Sequence, residues 1–140
     1  MSDFATPRNP LPRLLIITDW ELTREVLMTK LEGALALGPR VAVQHRHPHV
    51  SDRQFLDEAR ALSALCRKNN NPLFINDRLD VALLVGAHLH LPAGGISVEA
   101  VRPFMPEDRW VSIAVHDRTE ALAAHGAHLA LVSPVYAPLS

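Results

Sequence analysis

Polar side chains able to do chemistry fall at six short intervals along the 140-residue chain. Thr18 and Asp19 come first, then Gln44, His45, Arg46, His47 and His49, then Asn76, Asp77 and Arg78. His90 precedes Pro92-Ala93-Gly94-Gly95. His116 and Asp117 follow, and Ser133-Pro134-Val135-Tyr136 closes the series. Gln44 and Arg46 are two apart, so an extended strand aims them to one side. An amide beside a guanidinium can hold a planar heterocycle and a phosphate, or the arginine can pair with an acid of a neighbouring helix. A carboxylate at Asp77, after a buried run, can hold Mg²⁺ between substrate phosphates or cap the next helix. An imidazole, as at His116, suits proton transfer, or can bond a loop carbonyl. His45, His47 and His49 alternate and could face a metal together. Their spacing matches no zinc pattern, Pro48 interrupts them, and no acidic residue is adjacent.

Each group follows a short apolar run: Leu14 to Thr18, Val41 to Gln44, Leu73 to Asn76, His88 to Leu91, Trp110 to Val115 and Leu129 to Val132. These runs are brief and not cleanly alternating, as in parallel strands buried on both faces. Helical patterns separate them. Leu27, Leu31, Ala34 and Leu35 form one stripe, and Phe55, Ala59, Leu62 and Cys66 another. Weaker helices are expected over Leu79 to Val85 and Val98 to Phe104. Ser51 with Gln54, and Asp117 with Glu120, read as capping boxes. Gly38 and Gly126 sit where C-terminal caps belong, and Asn69-Asn70-Asn71-Pro72 ends the second helix. Alternating strands and helices imply a parallel sheet with right-handed crossovers. An open doubly wound sheet and a barrel both fit, and in both the ligands gather at the C-terminal ends of the strands.

Composition excludes several classes. The chain is 48% hydrophobic and 21% charged, with fourteen basic and fifteen acidic side chains. That balance supplies no global field for nucleic acid or an anionic membrane. Cys66 is the single cysteine, so no internal disulfide forms and a cytoplasmic setting is expected. No run approaches the roughly 18 apolar residues of a membrane span. Residues 1–13, with Pro7, Pro10 and Pro12, are expected to be a loose extended arm without the apolar core of a signal peptide, and residues 14–140 one domain.

The six rim groups together resemble the thiamine phosphate synthase / TenI family. Leu15-Ile16-Ile17-Thr18-Asp19 is similar to its opening strand, and Gln44-His45-Arg46 to its Gln-x-Arg motif. Phe74 to Leu83 resembles its Ile-Asn-Asp-Arg segment, and Gly86 to Leu91 its Gly-Ala-Asp-Gly-Val-His-Leu strand, one residue shorter. Ala114-Val115-His116 matches a Ser-(Ala/Val)-His motif, and Ser133-Pro134-Val135-Tyr136 a Gly-Pro-Val-Phe loop. The resemblance implies a β/α barrel of the TIM type. For a synthase, which joins an aminopyrimidine pyrophosphate to a thiazole phosphate with Mg²⁺, it gives Gln44 a pyrimidine contact, Arg46 and Asn76 pyrophosphate contacts, Ser133 a substrate contact and Asp77 the metal. Pro48 stands where the synthase motif has Lys, Ala114 where it has Ser, and Pro92 to Gly95 where it has Gly-Gln-Glu-Asp. Leu91-Pro92 with the small residues after it instead resembles the TenI branch, whose thiazole tautomerases use a histidine corresponding to His116. The motifs cover about six of eight strands. The resemblance therefore implies an incomplete barrel that self-associates or is completed by another chain. A catalytically inactive thiazole- or thiamine-phosphate-binding subunit is the alternative, and a metal-dependent hydrolase a distant one.

Overall fold

The structure is a computed structural model that describes residues 10–138. Six strands alternate with helices: β1 (Leu14–Ile17), α1 (Arg24–Leu35), β2 (Val41–His45), α2 (Asp52–Arg67), β3 (Leu73–Asn76), α3 (Leu79–Val85), β4 (His88–Leu91), α4 (Val98–Val101), β5 (Val111–Val115), α5 (Arg118–Ala123) and β6 (Leu129–Val132). A 3₁₀ turn, Arg102–Phe104, prolongs α4. Every strand pair is parallel, and the order in the sheet is β1-β2-β3-β4-β5-β6. A doubly wound sheet reverses its order at a switch point, whereas a barrel adds each strand beside the last. The monotonic order selects the barrel: six strands of an incomplete TIM-type barrel.

The two-residue period of the strands divides the apolar side chains in two. Val41, Val43, Leu73, Ile75, Leu89, Leu91 and Val111 pack under the helices, against Leu27, Leu31, Leu35, Phe55, Leu62 and Val81. Ala42, Phe74 and Trp110, with Leu15 and Leu129, pack on the opposite face, which no helix covers. That second face is the inside of the curled sheet.

The helices form where their stripes and caps require. Thr23, Ser51 and Asp117 each accept the N–H three residues on, which closes the first turns of α1, α2 and α5. Both expected capping boxes are half made. Gln54 sends its amide to Glu58 instead of back to Ser51. The Glu120 carboxylate takes the N–H of His116, one residue before the cap. Gly86, in the left-handed region at φ 68°, ends α3; its cap role was not evident from the sequence. The last unit is thinly packed, since α5 buries no residue and β6 is half exposed. Of the expected arm, residues 1–9 lie outside the described residues. Residues 10–13 are tied to the start of β2: Arg13 N–H donates to the Arg40 carbonyl, and the Arg40 guanidinium to the Leu11 carbonyl. Among the described residues no helix is long and apolar enough to cross a membrane.

Asn71, read from the sequence as a helix stop, is a buried clamp. Its Nδ2 donates to the carbonyls of Leu35, Gly38 and Val41 at 3.2, 2.8 and 3.0 Å. One side chain thus ties the end of α2 to the α1–β2 connection. A net bond contributes about 0.5–1.5 kcal/mol, and a stranded buried carbonyl costs more. Asn71→Ala is therefore expected to cost about 2–4 kcal/mol. Urea unfolding should show this as a lower midpoint with an unchanged slope; an unmoved midpoint would remove the clamp from the account.

Candidate functional site

The strands converge on one rim, where Thr18 ties β1 to β2. Its hydroxyl accepts the Arg46 N–H (3.0 Å) and the Trp20 indole N–H (3.0 Å), and donates to the Arg46 carbonyl (3.2 Å). Arg46 is held by its backbone, and its guanidinium, exposed, has no partner among the described residues. The helix-acid pairing considered for it is not made. Gln44 lies two residues below, 2% exposed, on the helix-free face with Ala42. Its Nε2 is buried without a partner.

β3 ends in Asn76, half-buried, and Asp77, exposed at φ 63°. The helix cap proposed for Asp77 falls instead on Arg78, with no side-chain cap bond. The Asp77 N–H donates to the His90 carbonyl, and its carboxylate has no partner among the described residues. A non-glycine residue is uncommon at positive φ, and Asp is one of the few that tolerate it. Arg78 pairs with Asp52 and Asp80 and stands over the Phe55 ring. Its guanidinium holds the Asp80 carboxyl below the ordinary range.

The histidines separate into distinct settings. The His116 Nδ1 lies 2.6 Å from the Ser133 carbonyl. A carbonyl only accepts, so Nδ1 carries the hydrogen and Nε2 keeps its lone pair. His116 is exposed at the rim, on the strand side shared by Ser112 and Ala114. Ser133 thus enters through its backbone, with its N–H donating to Val115 as well. His45 turns under α2, donates from Nε2 to the Phe55 carbonyl, and stacks on the Phe55 ring at 4.1 Å. His47 bonds both oxygens of Glu58 at 2.9 and 3.0 Å and stacks on Trp20 at 5.2 Å. Glu58, buried in α2, is the acidic partner that sequence adjacency did not reveal. It spends both oxygens on His47 and Gln54, while His49 stays exposed. His45 and His47 thus share Glu58 and Trp20, and His49 does not join them.

Among the described residues no three His, Cys, Asp or Glu side chains gather to hold a metal. Mg²⁺ asks for six oxygens, and β4 ends in Pro92 to Gly95 without a carboxylate. The protein donors at Asp77 do not by themselves fit a resident ion. Two clefts lie elsewhere. One, of about 680 Å³, runs between the β4–α4 loop, α4 and α5 and is largely apolar, with Ile96, Val98, Ile113 and Ala123 in its wall. The other, of about 490 Å³, opens over Trp20, His47 and Glu58. Neither is lined by Gln44, Asn76 or His116.

Fold and rim together define a β/α-barrel protein with its polar groups at the C-terminal ends of the strands. The chain belongs to the thiamine monophosphate synthase family, whose model matches residues 14–138. It is 35% identical over 113 residues to a thiamine-phosphate synthase of Clostridium perfringens (strain SM101 / Type A), covering 80% of this chain and 54% of that protein. It is 34% identical over 128 residues to one of Chloroflexus aurantiacus, covering 89% and 59%. The solved thiamine phosphate pyrophosphorylase from Pyrococcus furiosus matches with a TM-score of 0.77 at 28% identity, over 88% of this chain and 60% of that one. The chain spans about half the length of the curated relatives it matches.

Three histidines set a pH dependence. Burial pushes His45, His88 and His90 each down to about 4. The Nδ1 lone pair of His88 already accepts the Trp110 N–H, which protonation there would break. Below pH 6.5 the unfolded chain takes up protons that the folded chain refuses until about pH 4. The stability these groups support is full above 6.5 and is lost as pH falls toward 4, by up to about 1.4 kcal/mol per pH unit for each histidine. Urea midpoints should climb from pH 4.5 to 6.5 and level off above; a flat profile through that window would contradict the burial.

Proposed function

We propose that the chain works in thiamine biosynthesis, in a cytoplasmic setting, and that the rim of its helix-free face holds a thiazole phosphate for proton transfer by His116, as in the tautomerases of the TenI branch. The observation that carries this reading is the bond from His116 Nδ1 to the Ser133 carbonyl, which leaves Nε2 as a base at the rim. In the step itself, Nε2 takes a proton from one ring position of the thiazole. The electron pair shifts within the ring, and the imidazolium returns the proton at another position, with no net oxidation. Beneath the ring Gln44 keeps a buried amide without a protein partner, and Arg46 offers an unpaired guanidinium to the phosphate.

The names of the relatives favour a second reading, thiamine phosphate synthesis. In that reading Arg46 and Asn76 hold the pyrophosphate of an aminopyrimidine substrate, Ser133 contacts substrate, and Asp77 holds Mg²⁺ only where substrate phosphate supplies most of the oxygens. The missing Lys at Pro48 and the missing carboxylate after β4 weigh against it. We also propose that the open edges of β1 and β6 are covered by a second copy or a completing chain, which sedimentation at micromolar concentration tests. Unpaired parallel edges invite strand addition.

His116→Ala separates chemistry from binding. Thiazole phosphate affinity, read by calorimetry, should stay within about threefold, while tautomer exchange followed by NMR should slow by about 10²-fold or more. Exchange at the wild-type rate in His116→Ala would end the proposal. Binding without exchange in the wild-type chain would establish the inactive-subunit alternative.

A further inference from the structure

Strands β4 and β5 carry a polar pair that proton transfer at His116 does not use. Asn76 is in register with His90, and His90 with Ser112, so the three form one row across β3, β4 and β5. Leu89 and Leu91 pack under the helices, which places His90 on the helix-free face with Asn76. His90 is 5% exposed and Ser112 2%, and the His90 Nδ1 lies 2.7 Å from the Ser112 Oγ. The His90 Nε2 has no partner among the described residues, yet it is not sealed away as the Gln44 Nε2 is. It therefore keeps some exposure in a row that also carries Asn76.

The partner of each Nδ1 separates His90 from His116. His116 faces a carbonyl, which fixes its hydrogen on Nδ1. His90 faces a hydroxyl, which both donates and accepts. When Ser112 donates to Nδ1, the His90 Nε2 carries a hydrogen and can donate it outward. When Ser112 accepts, Nε2 presents a lone pair. Burial keeps the ring uncharged in either form.

We propose that His90 is a further ligand-contacting residue, with Ser112 as the positioning residue that sets its tautomer, and that its Nε2–H donates a hydrogen bond to a ring atom of the heterocycle bound beside Asn76. This rests on the reading that the helix-free face binds thiazole phosphate. Removal of a ring proton by His116 leaves electron density on the ring, and a neutral imidazole N–H on the other side steadies that density without giving up its proton. No bond forms or breaks at His90.

The test uses ¹⁵N NMR on the full chain, with thiazole phosphate as the probe. In the free protein, Ser112→Ala should change the His90 tautomer pattern and leave that of His116 alone. Adding thiazole phosphate to the wild type should shift the His90 Nε2 together with the side-chain amides of Gln44 and Asn76. Ser112→Ala should weaken binding by about 5–20-fold, and His90→Gln, which keeps an N–H, should bind more tightly than His90→Leu. Shifts at Gln44 and Asn76 with the His90 Nε2 unmoved would overturn this inference alone. No shift at any of the three would overturn it together with the binding site itself.

Discussion

Six parallel strands, the first five each followed by a helix, can cover only one face of their sheet with helices. The other face must be filled by strand side chains alone, and the period of two decides which they are. Toward the N-terminal ends these are Ala42, Phe74 and Trp110, with the His88 ring stacked on Trp110 at 4.6 Å. Toward the C-terminal ends they are Asn76, His90 and Ser112, in register with one another, with Gln44 one row lower beside Phe74. An apolar floor beneath a polar upper wall is a shape for a planar, hydrogen-bonding ligand. The same face leaves two buried donors, Gln44 Nε2 and Trp110 Nε1, without protein partners. Each such group costs about 1–3 kcal/mol, which a fold closed upon itself would avoid.

What keeps this face in register is polar and remote in sequence. Thr18 joins the tops of β1 and β2 across 28 residues, and Asn71 joins the end of α2 to the α1–β2 connection across 30 to 36. Glu58 reaches from α2 to His47, which in turn stacks on Trp20 behind Thr18. The position of Arg46 follows from these ties, since its backbone N–H and carbonyl both engage the Thr18 hydroxyl. A buried thiol at Cys66, pushed up to about 12 by its apolar surroundings, takes no part and packs as an inert core group.

The strands were legible in the sequence because short apolar runs bounded by turn residues carry the signal locally. β3, β4 and β6 fall on their expected bounds, and the others lie within one residue. Their order was not legible, because local pattern alone fits both an open sheet and a barrel; only the resemblance favoured the barrel. The site was legible as a set of strand ends but not as a set of contacts. The roles of Thr18, Glu58 and Asn71 depend on partners 11 to 36 residues away, which no spacing rule finds. Alternation placed His45, His47 and His49 on one face; His45 and His47 keep to it, both beside Glu58 and Trp20, and His49 leaves it at positive φ. Asp77 looked equally like a cap or a ligand-binding carboxylate, and the start of α3 at Leu79 leaves the carboxylate uncapping.

The central claim is that ligand binds on the helix-free face, at the polar ends of the strands. A crystal structure of the chain soaked with thiazole phosphate tests this most directly. The expected result is the heterocycle beside Asn76 and within hydrogen-bond reach of the His116 Nε2, over the buried Gln44 amide, with the phosphate toward Arg46. Density for the ligand in the apolar cleft between α4 and α5, with the helix-free face empty, would contradict it.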